Sequence, residues 1–224
     1  VFDPQILVDK ILATPGNVPG RSLFPDWLPG VKGKFRQEYP AKVVKTDFKL
    51  AKEYLEKAKT ELGGKLPDLI WLTGDSPTAS KEAEYIQDLF GKQLGITVKI
   101  DKQTFKQRLA KMSAGEFDIV SAGWGPDYSD PMTFADLFTS WNENNRGQFR
   151  NAEYDKWIRI AQNTADAKTR MDAMAKVQDI ILEELPVLPS YEQGQVYLHS
   201  ERISGVLRSV VGADPSFIYS TVIK

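Results

Sequence analysis

The strongest constraint on the fold is an alternation of apolar strands and amphipathic helices between residues 69 and 122. Three short apolar runs bounded by turn residues predict strands at Leu69–Thr73, Ile96–Ile100 and Asp118–Ala122. Apolar residues at helical spacing predict the helices between them, from Ser76 to about Leu94 and from Thr104 to Ser113. Short loops and crossover helices make such strands parallel. The chain is therefore predicted to be α/β, with a parallel β-α-β-α-β core flanked by helices.

Further helices are predicted on both sides of this core. Asp3 and Pro4 have the pattern of an N-cap and a first-turn proline, which predicts a short helix through Leu12. Asp47 is expected to cap a second helix that ends near Gly63. Its predicted apolar face consists of Leu50, Ala51, Tyr54, Leu55 and Ala58.

The carboxy-terminal half is predicted to be mainly helical until a strand at Gln195–Leu198. Helices are expected over residues 151–165 and 168–185. The second of them has an apolar stripe that we interpret as core: Met171, Met174, Ala175, Val177, Ile181 and Leu182. The Pro- and Gly-rich stretch from Thr14 to Pro40 is expected to be an ordered loop on the surface, because it contains aromatic residues.

Composition excludes several classes of site. The net charge of −1 argues against a nucleic-acid partner, which would require a basic excess or stripe. The absence of cysteine excludes disulfides and thiolate metal sites, and the single histidine, His199, excludes a site with two histidine ligands. We interpret His199 as a solvated surface residue. No cofactor and no metal are predicted.

The segment from Ser121 to Phe134 (SAGWGPDYSDPMTF) is the candidate ligand site. It follows the third predicted strand, so it leaves the carboxyl edge of the sheet, where open α/β folds bind ligands. An indole face at Trp124 beside the carboxylate of Asp127 suits a ligand with an apolar part and a cationic part. The alternative is an ordinary connection in which Trp124 covers the core.

Five motifs in order, with their spacing, resemble the extracellular solute-binding proteins of the oligopeptide and dipeptide ABC importers (bacterial solute-binding family 5). The motifs are DFKLAKEYL from Asp47, LGITV from Leu94, FDIVSAGW from Phe117, DYSDP from Asp127 and LPVLPSY from Leu185. The resemblance implies a periplasmic-binding-protein-like type II lobe with a mixed sheet. Residues 1–195 are expected to form the carboxy-terminal lobe, and residues 196–224 a tail that returns to an absent amino-terminal lobe.

The resemblance also implies a clamp that closes on a peptide and delivers it to a membrane permease, rather than an enzyme. The position of Asp127 is the one whose aspartate pairs with the α-ammonium of the peptide in peptide-binding members. Gly123 and Trp124 fall where the family offers backbone hydrogen bonds and an apolar wall. Tyr191 falls near an aromatic hydrogen-bonding position at the hinge, and Phe105 falls where an aromatic residue borders the ligand, although it is also an expected core position.

This chain departs from the family pattern at the arginines that hold the peptide carboxylate in some members. Met112, Ser113 and Ser121 occupy the equivalent positions. Arg108 and Lys111 on the preceding helix could substitute for them, or could belong to a solvated face.

Four further expectations remain open at this point. The same scaffold could bind another solute, such as a sugar or a nickel chelate. Asp127 and Asp130 could instead be the carboxylate pair of a glycoside hydrolase, with Trp124 as a sugar platform. The family implies an extracellular location, either periplasmic or lipid-anchored at the cell surface. Separated from the absent lobe, this chain is expected to fold, to bind peptide weakly, and to pair its tail with itself or with a second copy.

Overall fold

The computed structural model describes residues 1–42, 45–212 and 215–223. The chain divides into two compact units. The first unit consists of Val1–Arg21 and Val43–Ala122, and the second unit consists of Ser22–Lys42 and Gly123–Lys224. The chain therefore passes between the units directly after the third strand of the predicted core.

The helices in chain order are α1 (Pro4–Ile6, continued by π-helical turns at Leu7–Leu12), α2 (Phe35–Glu38), α3 (Phe48–Glu61), α4 (Pro77–Leu94), α5 (Phe105–Ala114), α6 (Met132–Ala135, continued by a 3-10 turn at Asp136–Phe138), α7 (Ala152–Gln162) and α8 (Ala167–Glu184). The strands are β1 (Val18–Pro19), β2 (Leu69–Gly74), β3 (Val98–Gln103), β4 (Ile119–Val120), β5 (Tyr191–Glu192), β6 (Ile203–Ser204) and β7 (Thr221–Val222). Within the described ranges, no helix is both long enough and apolar enough to cross a membrane.

The first unit contains the predicted parallel β-α-β-α-β core. Its three strands lie in the order β3-β2-β4, with β2 parallel to both neighbours. Trp71 pairs with Ile100 on one side and with Ile119 on the other. Because crossover helices connect the strands, their carboxyl ends meet at one edge, and the fold-class prediction is confirmed.

The helices in this core begin and end close to their predicted bounds, and their ends are capped. The Ser76 hydroxyl accepts a hydrogen bond from the Ala79 amide at 3.2 Å and begins α4. Gly95 ends that helix with a positive φ of 67°, a conformation that costs a glycine little. Thr104 and Gln107 form a capping box at the start of α5.

The core of the second unit is built on α7 and α8. The predicted stripe on α8 is confirmed, since Met174, Val177 and Ile181 are fully buried and Met171 is nearly so. Tyr154 on α7 is also fully buried, and its hydroxyl donates to the Ala135 carbonyl at 2.5 Å.

The stretch from Thr14 to Pro40 is ordered as predicted, but it does not lie only on the surface, because part of it belongs to a hydrophobic core. Phe24, Leu28 and Phe35 are fully buried and belong to the same core cluster as α7 and α8. The Glu38 carboxylate accepts the amides of Val31, Lys32 and Gly33 at 2.5–2.8 Å, which closes the turn before α2. These buried apolar side chains and this closed turn explain why a segment without periodicity has a defined structure.

Two other expectations are wrong. On α3, which Asp47 caps as predicted, only Leu55 of the apolar face is buried, while Leu50 and Tyr54 are exposed. Residues 195–198 are not a strand. The short strand in this part of the chain is β5, a few residues earlier. Leu198 in that segment is 97% exposed, so the apolar alternation there is not evidence of a half-buried sheet.

The segment after residue 195 contains one short antiparallel pair. β6 and β7 pair with Ile203 opposite Val222. The predicted tail also includes residues 213, 214 and 224, which lie outside the described residues. The division at residue 195 stays a prediction.

Candidate ligand-binding site

The strand that leads to the candidate site is held at its end by two side chains of the first unit. The Ser121 amide donates to the Leu72 carbonyl at 2.9 Å, which continues the pairing of β4 with β2. The Ser121 hydroxyl donates to the Glu82 carboxyl group at 3.2 Å. Arg108 donates from Nη1 to the Ser121 carbonyl at 2.7 Å. Arg108 therefore anchors the strand end, and it is not simply part of a solvated face.

In the second unit, residues 123–131 form a largely exposed loop, here called the Asp127 loop, which ends where α6 begins. Trp124 is 38% exposed and belongs to neither core cluster. Trp124 is therefore a surface residue and not a buried core residue. Tyr128 on the same loop is 44% exposed, so the loop presents two aromatic side chains to solvent.

Asp127 is an exposed residue whose backbone is fixed and whose carboxylate has no partner among the described residues. Its amide donates to the Thr133 hydroxyl at 3.2 Å, and Thr133 is buried. In the part of the chain that the structure describes, the Asp127 carboxylate accepts no hydrogen bond and forms no ion pair. A carboxylate in this state is available to a cationic group from outside.

Asp136 is a second carboxyl group close to Asp127. Burial raises the pKa of Asp136, and the negative charge of Asp127 raises it further. The pKa of Tyr128 is raised by burial and then by the charges of Asp136, Asp130 and Asp127, against the opposite effect of Arg170. The charges of these three carboxylates therefore act together on the Tyr128 hydroxyl, and this local negative potential favours a cation.

Asp130 differs from Asp127 because an arginine occupies both of its oxygens. Arg170 on α8 donates from Nη1 to Oδ2 at 2.6 Å and from Nη2 to Oδ1 at 2.7 Å. The Met132 amide also donates to Oδ1, at 2.8 Å. A carboxylate saturated in this way is poorly suited to transfer a proton to a leaving group. The geometry therefore does not favour the hydrolase alternative that pairs Asp127 with Asp130.

Gly123 and Gly125 leave the backbone of the loop open. Neither has a positive φ, and a Cβ atom built on either would meet no described atom within 4 Å. Neither backbone conformation nor packing therefore requires glycine at these two positions. The absence of a side chain leaves room for a ligand to approach the main chain.

The other two predicted site residues lie on separate elements. Tyr191 is half-buried on β5 of the second unit. Its neighbour Glu192 is fixed by an ion pair with Arg36 and accepts the Asp26 amide at 3.0 Å. Phe105 begins α5 of the first unit and is 67% exposed, so its interpretation as a core position is wrong. The Arg108 guanidinium lies 5.7 Å from the centre of the Phe105 ring.

An exposed, aromatic and acidic loop that follows a parallel strand lies where open α/β folds bind ligands. The family model for bacterial extracellular solute-binding proteins, family 5 Middle, matches residues 1–146. The chain belongs to this family, and the recognition made from the motifs is confirmed.

Individual relatives are peptide-binding proteins. The chain is 34% identical over 181 residues to the dipeptide-binding protein DppE of Bacillus subtilis. This alignment covers 80% of the chain and 33% of DppE. The substrate-binding domain of an oligopeptide ABC transporter from Bacillus anthracis matches all of the chain with a TM-score of 0.90 at 32% identity, covering 44% of its own length. Listeria monocytogenes OppA bound to peptide matches with a TM-score of 0.86 at 30% identity, covering 100% of this chain and 43% of its own. The chain thus spans about a third of the length of a curated relative that it matches.

Sequence reasoning missed three residues that shape this site. Thr133 and Arg170 fix the Asp127 loop, and Asp136 adds charge beside Asp127. Asp136 and Thr133 could have been noticed as polar residues within nine positions of Asp127. Arg170 lies 40 residues from Asp130 on an independent helix, and no local pattern connects the two.

Proposed function

We propose that this chain is the ligand-binding lobe of a substrate-binding subunit of an ABC importer, and that it binds oligopeptides or dipeptides. The observation that carries the proposal is the exposed carboxylate of Asp127, which no described residue pairs with, on a loop that is held by Thr133 and Arg170. Family membership and peptide-binding relatives support the same class of ligand.

In this proposal the Asp127 carboxylate accepts hydrogen bonds from the α-ammonium group of the peptide. Asp136 adds negative potential. Burial raises its pKa, and the charge of Asp127 raises it further, which is the cost of placing two carboxyl groups close together. A bound ammonium group lowers that cost, so charge favours a free amino terminus over a blocked one.

The remaining predicted residues have complementary roles in the proposal. Trp124 offers an indole face to an apolar side chain of the peptide, and the open backbone at Gly123 offers main-chain hydrogen bonds. Tyr191 borders the ligand from β5, and the place of Phe105 beside the ligand stays a prediction from the resemblance. A second lobe, contributed by a part of the protein beyond this chain, completes the clamp by hinge closure.

The partners and location follow from the same proposal. The loaded protein delivers its peptide to a membrane permease, and it works outside the cytoplasm, either in a periplasm or lipid-anchored at the cell surface. The family itself is one of extracellular solute-binding proteins.

Substitution of Asp127 by alanine in the complete protein tests the proposal. Loss of a charge-assisted hydrogen bond costs about 1.5–3 kcal/mol, so we expect the Kd for peptides to rise by roughly ten- to a hundredfold. The measurement is calorimetric titration with a panel of free di- to pentapeptides, with oligosaccharides and nickel chelates as alternative ligands.

Asp88→Ala is the matched control, because Asp88 is an exposed aspartate that pairs with Lys92 within α4. It should leave the peptide Kd within twofold of the wild-type value. Tight binding of a sugar or a chelate, without binding of any peptide, would contradict the proposed ligand class. Equal peptide affinities of the wild type and Asp127→Ala would remove Asp127 from the site.

A further inference from the structure

The Asp127 loop is attached to the core helix α8 by a bidentate ion pair between Asp130 and Arg170. The Arg170 guanidinium meets both oxygens of Asp130, at 2.6 and 2.7 Å, and the two side chains are only 23% and 27% exposed. Parallel hydrogen bonds of this kind fix the relative orientation of both groups, which a single contact from a lysine does not do.

Arg170 is a rigid attachment point because its helix is embedded in the core. The next residue, Met171, is 6% exposed, and Met174 one turn further is fully buried. The first turn of α8 is capped by Asp166, whose carboxylate accepts the Thr169 amide at 2.7 Å. The guanidinium therefore projects from a helix whose position is set by packing.

Asp130 transmits this rigidity to Asp127 through a short chain of hydrogen bonds. The Asp130 carboxylate accepts the Met132 amide at 2.8 Å, and its carbonyl accepts the Thr133 amide at 3.2 Å. The Thr133 hydroxyl then accepts the Asp127 amide at 3.2 Å. Both ends of the turn from Asp127 to Asp130 are consequently held.

We propose that Arg170 is a positioning residue of the peptide site, which acts through Asp130 to hold the Asp127 carboxylate in the orientation that binds an ammonium group. This inference rests on the proposed function. In this inference Arg170 affects peptide affinity without contacting the peptide, because its guanidinium pairs with Asp130.

The sign of the effect separates positioning from simple electrostatics. Arg170 is a cation near a site that is proposed to bind a cation, so its charge alone opposes ligand binding. If only charge mattered, Arg170→Ala would tighten binding. Positioning predicts weaker binding, because a displaced carboxylate loses directed hydrogen bonds.

The test uses the complete protein with the tightest-binding peptide of the panel, in its free and its N-acetylated form. For Arg170→Ala we expect at least a fivefold rise in Kd for the free peptide and a smaller ratio between the two forms. Arg170→Lys should recover part of the loss. General loosening of the protein would instead weaken both forms equally, and lysine would give no rescue.

Lys168→Ala is the matched control. Lys168 lies on the same helix and also forms an ion pair, with Asp172 at 2.6 Å, but it does not contact the Asp127 loop. It should leave both Kd values within twofold of the wild type. If Arg170→Ala fails to fold, Arg170→Gln replaces it, because it keeps much of the side chain, removes the guanidinium charge and should reduce the ratio in the same way.

The outcomes distinguish this inference from the proposed function. A wild-type protein that binds no peptide overturns both. Peptide binding that depends on Asp127 but is unchanged or tighter in Arg170→Ala overturns only the positioning role. An equal loss for free and acetylated peptides also overturns it.

Discussion

At the scale of single residues, the environment rather than the residue type distinguishes the aspartates of the Asp127 loop. Asp127 and Asp130 are three positions apart and identical in chemistry. Asp127 is exposed and unpaired among the described residues, whereas Asp130 is saturated by Arg170 and a backbone amide. The first can attract a ligand, and the second stabilises the loop.

Gly123 provides a prediction in which stability and binding change in opposite directions. Its φ is not positive and a Cβ atom would meet no described atom, so alanine fits the unliganded chain. Replacement of glycine at such a position stabilises a protein by about 0.4–1 kcal/mol. We therefore expect Gly123→Ala to raise the midpoint of thermal unfolding slightly and to weaken peptide binding several-fold.

Thermal unfolding and calorimetric titration of the same preparation measure the two effects. Gly147→Ala is a control, since Gly147 also has an open Cβ position and no positive φ but lies outside the Asp127 loop. Unchanged peptide affinity in Gly123→Ala would contradict the proposed approach of the ligand to this part of the backbone.

The residue-scale comparison also shows what a sequence can reveal about the site. Asp127 and Trp124 were recognised because a loop rich in Gly, Pro and Asp follows a strand, and both residues are exposed. The sequence does not predict which of the two aspartates is paired, because no local pattern shows that Arg170 on α8 pairs with Asp130. The assignment of Asp127 and Trp124 to a ligand stays a prediction.

At the scale of elements, apolar periodicity predicted the strands and helices of both cores well. It failed where an apolar pattern has no buried neighbour, as at residues 195–198 and on the outer face of α3. It also missed that Phe24 and Phe35 are core residues, because their segment has no regular period. Apolar periodicity in a sequence predicts which face of a helix or strand is apolar. Only tertiary contacts determine whether that face is buried.

Glu82 on α4 is an element-scale feature that hydrophobic patterns do not reveal. It is only 7% exposed and accepts the Ser121 hydroxyl at the end of β4. Burial raises the pKa of Glu82, and the hydrogen bond from Ser121 opposes this shift. The folded protein therefore keeps the Glu82 proton to a higher pH than the unfolded chain does.

This pKa difference predicts how stability depends on pH. An unfolded glutamate loses its proton near pH 4.3, so above that pH the folded state binds more protons and its stability falls as pH rises. Glu82→Gln removes this loss. The variant should match the wild type below about pH 4 and become progressively more stable than it as pH rises through the raised pKa.

Urea unfolding at several pH values measures this difference in the free energy of unfolding. Glu84→Gln serves as the control, because Glu84 is exposed on the same helix and pairs with Lys102 at 3.2 Å. A stability difference between Glu82→Gln and the wild type that is constant across pH would show that Glu82 is not held protonated by burial.

At the scale of the whole molecule, the chain belongs to a family of extracellular solute-binding proteins and has their α/β fold. It spans about a third of the length of DppE, so the complete ligand site, the second lobe and the permease are proposals. What these residues contribute is a fixed loop whose Asp127 carboxylate is unpaired among the described residues. In the proposed function, this carboxylate gives the clamp a preference for a positive group.

The most direct test of that contribution is a thermodynamic cycle on the complete protein. Kd is measured for one peptide with a free amino group and for its N-acetylated form, in the wild type and in Asp127→Asn. We predict that acetylation weakens binding to the wild type by at least tenfold and has little effect on Asp127→Asn, because the carboxylate and the ammonium group interact with each other. An acetylation penalty of the same size in both proteins would contradict the account.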